Sequence, residues 1–596
     1  MAFRRGDYRP FVRASVAAFE QLQTATGPEI AAAVPFIDIR QVDQFTGEVI
    51  GENIMKEVLS PAALPAQSTA LFRERPLVSM NSLDVKTEQQ YGYAYNTIIS
   101  MEFTVHRPNV VFSTEEYSAW RELLVEGNCF ELSYGWAPNP GGIQNDLLNG
   151  VGYYDPEIGL LVQSRTNLLI AIVRYTTTMD QSGVARFTLE ARTMGNIGLR
   201  QVSLMQELVE EFVDSDSRDP SQLTQAIASS PLTALRRALT SMTDGLDGRI
   251  IAAMQDRLRA LDENKGFVRN KRRFILMGDV LDSFVAPIVE RMCSRLGYLR
   301  ADLFLGNFNK RAGSTSEDFG AVELGGRSIA EFPVPVRLLR DSLSNIRLKG
   351  RLMRVESLIE VLISLTKGQA KWSSTTRFVP ALFPIASDVS VEGGTVFRYA
   401  IADSFDGSDV FDDPDSAIPS DSITKEEVFR KLASRGVPVI EMGRVDSVVK
   451  SLNFDINPEP LQRSIFAERQ LKSRKDQIQM VEQPDPHGLA GRADSKTVIP
   501  LGTLQGSIAM IGNFAFQLFS YVWIEFFGAY PITGVYNIRE RSDRVEAGNF
   551  TTTLSLISEG IDPFNTRRRL SSTELQEERR IADERLRKVK NTKKRQ

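Results

Sequence analysis

The stretch WIEFFGAYPITGVYNIRERSDRVEAGNFTTTLSLI, residues 523–557, decides the fold. Residues 532–540 and 549–557 alternate apolar with small or polar side chains, the period of two expected of strands with one buried face. Residues 541–545, Arg-Ser-Asp-Arg-Val, read as a polar connector between them. Upstream, residues 497–524 carry no charge and are long enough to cross a bilayer. Pro500, Gly502, Gly506, Gly512, Asn513 and Gln517 interrupt that run, and Gly512-Asn513 divides it into 507–511 and 514–526. The expectation is a buried hairpin and no membrane span.

A second β region lies toward the N-terminus, over about residues 30–200. Its clearest strand is 91–105, with Tyr91, Tyr93, Tyr95, Ile99, Met101, Phe103 and Val105 on one face. At about 3.3 Å per residue such a strand is roughly 50 Å long, a length suited to tall sheets and tubes. A hairpin comes next: 167–179, a turn at Asp180-Gln181-Ser182-Gly183, then 184–193 with Ala185, Phe187, Leu189 and Ala191 facing one way. A short helix is expected over 114–126.

Between the β regions the period becomes helical. Stripes run through Leu204, Leu208 and Phe212; Ile251, Met254, Leu258 and Leu261; Leu281, Phe284, Val285, Ile288, Met292 and Leu296; and Leu352, Val355, Ile359 and Leu362. There is no short-period repeat, but the organisation recurs as two β regions, each ending in a long hairpin. The fold class is therefore α+β. The expected division is an N-terminal arm 1–29, a β domain 30–200, a helical domain 201–370, a connecting segment 371–434, a second β domain 435–562 and a charged C-terminal helix 563–596.

Composition narrows the function. With 596 residues the chain exceeds one hydrophobic core, and 42% hydrophobic with 24% charged residues is ordinary for a globular protein. The net charge is −4, from 71 basic and 75 acidic side chains, which argues against stable nucleic-acid binding. Residues 567–596 hold twelve Lys/Arg and five Asp/Glu, so that segment is net +7 and the remainder −11. Its alternating signs suit an exposed or coiled helix. Cys129 and Cys293 form no disulfide framework, and the N-terminus lacks the apolar run of a signal peptide.

Candidate chemistry is sparse. His106 and His487 are the two histidines, and no zinc-hydrolase, nucleophile-elbow or phosphate-loop motif is present. Glycan cleavage needs two carboxylates that meet in space, and Glu131 or Glu190 could supply one, but both sit in alternating strand patterns that need no catalysis to explain them. The aspartates 403, 406, 409, 412, 413 and 415 read as a solvated acidic linker whose spacing departs from an EF-hand. Arg5-Gly6-Asp7 is too short a match to inform. The expectation is no catalytic residue, no cofactor and no metal.

Residues 523–557 resemble the central baseplate hub family of contractile tails, which includes late-control-D type proteins and the spike hubs of related secretion systems. Gly534, Tyr536, Ile538, Gly548, Phe550, Thr552, Leu554 and Leu556 match its pattern; Arg541–Val545 stand where many hubs carry a connector histidine. Residues 506–513 and 130–136 (FELSYGW) resemble further hub segments. The resemblance implies a homotrimer in which each chain contributes two tube-like β domains. Six similar domains then face a hexameric tail tube, and the threefold axis faces a trimeric central spike. Tail tube, spike, baseplate wedge and tape measure proteins are the implied partners, and the virion tail, assembled in the host bacterial cytoplasm, the implied location. The alternatives are a tail-associated peptidoglycan hydrolase with a lysozyme-like insertion, a membrane-anchored assembly factor, or the hub of a phage-like secretion or injection system.

Overall fold

Period-two alternation becomes strand in both β regions of the protein, whose computed structural model describes residues 3–42, 49–50, 54, 78–91, 94–106, 108–113, 118–138, 143–156, 160–181, 183–195, 255–308, 315–316, 327–345, 362, 370–371, 380–385, 389–391, 394–403, 429–430, 432, 437–442, 447–455, 505–525, 534–546 and 548–558.

The main sheet and the helices packed on it include, in chain order, β1 (Phe3–Asp7), α1 (Tyr8–Gln23), β2 (Pro35–Val42), β3 (Val78–Tyr91), β4 (Ala94–Val105), β5 (Cys129–Trp136), β6 (Arg165–Met179) and β7 (Ala185–Thr193). Then come α2 (Ala286–Leu296), β8 (Tyr298–Leu305), β9 (Pro380–Pro384), β10 (Gly394–Asp403), β11 (Val439–Glu441) and β12 (Val449–Asp455). The last four are β13 (Gln505–Ile511), β14 (Tyr521–Glu525), β15 (Gly534–Glu546) and β16 (Asn549–Ser558).

Two strand sets emerge with the same order. The first runs β3-β4-β7-β6-β5-β2, antiparallel throughout. The second runs β12-β13-β16-β15-β14-β11, antiparallel except for the parallel pair β14–β11. Their irregularities coincide as well. A register shift at Val173, between the partners of Glu190 and Ala191, matches one at Arg539, between Ile538 and Glu540. Another at Asn81, between Met80 and Ser82, matches one at Lys450, between Val449 and Ser451. A bulge bends its strand and re-aims the residues beyond it, so matching bulges give the two sets the same local curvature.

The sets are fused. β3 pairs antiparallel with β15, from Thr87↔Arg541 to Ser82↔Glu546. A single hydrophobic cluster runs from Tyr8 and Phe19 through Phe103, Trp120, Phe130 and Leu168 to Ile508, Phe514, Tyr536 and Leu556. Three parallel strands, β1-β8-β10, extend the sheet, and β9 joins β10 to β4 at Leu382↔Ala94. Ala400 and Ala402 of β10 enter this cluster, while Phe397, Tyr399 and Ile401 on its other face enter a second one with α2.

Residues 3–23, expected from the sequence to be part of an arm, form β1 and a helix that is packed into the core. α1 buries Phe11, Ala14, Ala18, Phe19 and Leu22, spacings that fall on one helical face. Phe19 meets Phe516 edge-on at 4.5 Å, and the Tyr8 hydroxyl donates to the Leu518 carbonyl at 2.7 Å. α2 carries Pro287 in its first turn and continues from a wide turn, Leu281–Val285, that tolerates the missing N–H. It ends at Gly297, whose φ of 74° closes the helix in the left-handed region.

Several expectations are corrected. The long strand 91–105 is shorter: Tyr91 ends β3, Ala94 begins β4, and the two are hairpin partners. Residues 507–511 and 514–526 form no hairpin, because β13 pairs with β12 and β16 while β14 pairs with β15 and β11. The polar connector 541–545 is the continuation of β15. Of the helix expected over 114–126, Ser118–Leu123 is helical and 114–117 lie outside the described residues; Pro108–Ser113 is a further short helix. The hairpin 167–193 is present as expected, as β6 and β7.

In the helical stretch, 255–265 is helical with Leu258 and Leu261 buried, and Leu281, Phe284, Val285, Ile288 and Leu362 are buried. The same stretch contributes strand β8 to the main sheet. Leu204, Leu208, Phe212, Ile251, Met254, Leu352, Val355, Ile359, His487, the aspartates after Asp403 and the C-terminal helix lie outside the described residues. Among the described residues no helix is long and apolar enough to cross a membrane.

Candidate functional site: the junction of the two strand sets

β15 is longer than the strand beside it, and this overhang makes the junction. Gly534–Asn537 pair with β14, and the strand then runs on so that 541–546 pair with β3. An arginine and an aspartate lie inside the seam. Arg541 is 4% exposed and Asp543 2%. The Arg541 guanidinium donates to Asp543 through Nη2 at 2.8 Å and Nε at 3.2 Å. Asp543 also accepts from the Tyr134 hydroxyl of β5 at 3.0 Å and the Thr552 hydroxyl of β16 at 2.7 Å.

The remaining guanidinium donors reach the buried crossing 512–520. Nη2 donates to the Asn513 carbonyl at 2.8 Å and Nη1 to the Phe516 carbonyl at 3.1 Å. The guanidinium also stacks over Phe514, 5.1 Å from the ring centre. Trp136 Nε1 donates to the Gly512 carbonyl at 2.8 Å, and the Asn513 side chain bonds the Ile511 carbonyl and the Ala515 amide. This crossing lacks a regular ladder, so side chains satisfy backbone groups that would otherwise be buried unpaired. Burial first, and then the Asp543 charge, hold the Tyr134 hydroxyl well above the usual phenol range, so it acts here as a neutral donor.

The outer side of the seam is wetter. Arg544 lies 3.7 Å from Asp84 and 2.6 Å from Glu546, and Lys86 3.7 Å from Glu540. These side chains are one-third to one-half exposed, and such pairs contribute about 0–1 kcal/mol. Among the described residues the arrangement orders and joins two sheets, with Arg541, Asp543 and Tyr134 lining a small cavity beside Thr87, Thr97 and Tyr399.

The residues that carry the hub resemblance lie in β15, β16 and the turn between them. Tyr536, Ile538, Phe550, Leu554 and Leu556 are buried, Thr552 bonds Asp543, and Gly548 has φ 69° in the β15–β16 turn. Sequence reasoning does not find Arg541, Asp543, Tyr134 and Asn513 as partners, since nothing local marks a strand Arg-x-Asp as buried. Glu131 lies in β5 and Glu190 in β7, with β6 between them. Glu131 accepts from Asn167 at 3.0 Å, and Glu190 is bound by Arg174 at 2.6 Å. Burial, the largest influence, raises the Glu131 carboxyl. Arg5 of the Arg-Gly-Asp tripeptide is paired with Asp282 at 3.1 Å. Both cysteines are buried, and burial pushes the Cys129 thiol up to about 11.

A second overhang matches the first. β6 pairs with β5 over Arg165–Ala171 and continues alone past it. Residues 173–179 are exposed along their whole length, with β7 on one side and no described strand on the other.

No protein family matches the chain, and no curated protein does. Solved structures similar to it include a tail protein from Neisseria meningitidis MC58, at 9% identity and TM-score 0.29, covering 89% of this chain and 99% of that one. The 43 kDa tail protein of prophage MuSo2 from Shewanella oneidensis is similar at 8% identity and TM-score 0.31, covering 88% and 98%. An E. coli component of the type VI secretion system, described as structurally similar to T4 bacteriophage tail proteins gp27 and gp5, is similar at 8% identity and TM-score 0.28, covering 82% and 75%. At these TM-scores the likeness carries no argument about function.

Proposed function

We propose that the chain is the structural hub of a contractile phage tail baseplate. As a homotrimer it adapts a hexameric tail tube to a trimeric central spike, and it performs no catalysis. The observation that carries this reading is the repeated strand order, β3-β4-β7-β6-β5-β2 and β12-β13-β16-β15-β14-β11, with bulges at matching places. Two like units per chain turn threefold symmetry into six like units around one axis, which is what a threefold-to-sixfold adaptor needs. The hub-like pattern from Gly534 to Leu556, lying in the joining hairpin, supports the same reading.

On this reading the two strand sets are the tube-like β domains, with the 201–370 region and the charged C-terminus as additions. Its partners are tail tube, central spike, wedge and tape measure proteins in the virion tail. The test is mass and symmetry in solution, by light scattering and by single-particle averages with and without spike protein. A closed trimer with near-sixfold appearance at one end is the expected result. A chain that stays monomeric with its partners present sinks the proposal.

A further inference from the structure

The two strand sets are alike, yet one equivalent contact is made and the other is not. The overhang of β15 in the second set pairs with β3, the outer strand of the first. The counterpart of that overhang is the exposed run 173–179 of β6. The counterpart of β3 is β12, the outer strand of the second set. Among the described residues β12 pairs with β13 alone. Within one chain these two leftovers stand at opposite ends of the order β6-β7-β4-β3-β15-β16-β13-β12.

We infer that the β6 overhang of one copy pairs antiparallel with β12 of a second copy, repeating between chains the junction made within each. The inference deepens the hub reading, on which the trimer rests. The matching bulges transfer the register. Val173 corresponds to Arg539 and Asn81 to Lys450, so Arg544↔Asp84 and Val545↔Leu83 become Thr178↔Asn453 and Met179↔Leu452. Chemistry agrees with that register. Val545 and Leu83 are both buried in the existing junction, whereas Met179 is 63% exposed and Leu452 half-buried.

Among the described residues no strand covers this edge. Val-Arg-Tyr-Thr-Thr-Thr-Met has strong strand preference, no proline and one charge, and Arg174 is held by Glu190. Natural edges of this length are normally blunted, and the residues of 173–179 carry no blunting proline or inward charge. The outer edge of β2, by contrast, begins with Pro35 and carries the Asp38–Arg40 pair. Backbone directions fit too. The Asp180 amide donates to the Val184 carbonyl across the hairpin, so alternation leaves the Tyr175, Thr177 and Met179 backbone groups facing outward.

Thiols at 178 and 453 test the register in the full-length protein. Position 178 turns its backbone toward β7, so across the new seam it is a non-hydrogen-bonded site, where Cα atoms approach to about 4.5 Å and a disulfide fits. The native Cys129 and Cys293 are buried and do not interfere. Under mild oxidation the Thr178→Cys/Asn453→Cys double variant is expected to give a covalent closed trimer on non-reducing gels, and either single variant none. Thr177→Pro, which removes one outward amide from an exposed arm, is expected to weaken the trimer at least tenfold while the circular dichroism spectrum stays native.

A dimer cross-linked through Thr178→Cys alone would mean like edges pair, and would overturn the inference. A native trimer whose double variant does not cross-link overturns this contact and leaves the hub reading standing. A monomer under all conditions removes both.

Discussion

Replacing Arg541 with methionine is the sharpest probe of the junction. The change keeps an unbranched apolar stem but leaves Asp543, 2% exposed, without its counter-charge, and strips donors from the Asn513 and Phe516 carbonyls. Breaking a buried pair from one side costs about 3–5 kcal/mol, much of it the uncompensated charge left behind. Since about 1.4 kcal/mol is tenfold in an equilibrium, opening of the seam should become roughly a hundredfold more frequent or greater. The assay is native-state hydrogen exchange, read on peptides covering 82–87 and 534–546. Arg544→Met, three residues along the same strand, is the control: its side chain is 55% exposed, so about 0–1 kcal/mol is expected. Equal effects at the two positions, or an Arg541 effect below about threefold, would refute the claim that buried pairing locks the junction.

Other outcomes are expected from the same geometry. Tyr134→Phe removes one donor to a buried carboxylate and should cost about 1.5–3 kcal/mol of seam protection in the same exchange experiment. Gly548→Ala should cost about 1–2 kcal/mol in thermal unfolding, from backbone strain at φ 69° alone, because no atom lies within 4 Å of the added methyl. At alkaline pH, burial holds the Cys129 thiol and the Tyr95, Tyr134 and Tyr536 hydroxyls above their ordinary values, so the unfolded chain releases these protons first. Stability should be intact below about pH 8 and fall as pH rises through the ordinary thiol and phenol range, measured as the thermal midpoint between about pH 7 and 11. Cys129 should correspondingly resist alkylation in the native protein at about pH 8 and react once unfolded.

Legibility in the sequence tracks locality. The β6–β7 hairpin can be read directly, because Asp180-Gln181-Ser182-Gly183 turns the chain between two alternating runs that pair with each other. The β15–β16 hairpin is equally local, yet its sequence pattern ends the first arm too early. Arg-Ser-Asp-Arg-Val breaks the apolar pattern, and alternation assigns charge to solvent. Gly512-Asn513 misleads in the opposite way: a good turn signal sits where the chain crosses between strands that never pair with each other. Its polar side chains have the composition of a turn, but in the fold they bond the crossing's own backbone.

What the sequence determines by itself is many of the strands, their faces and the turns that join neighbouring arms, because those depend on residues a few positions apart. It also carries the recurrence of two β regions. Only the tertiary structure decides that the two regions share one core, that their strand orders coincide, and that a charged pair is buried where they join. Tyr134 and Asp543 are 409 residues apart in the chain, and the hydrogen bond between them exists because β3, β5 and β16 close over β15. Burial is a property of what packs on a strand, and that partner lies far outside any window in which the strand's own pattern is read.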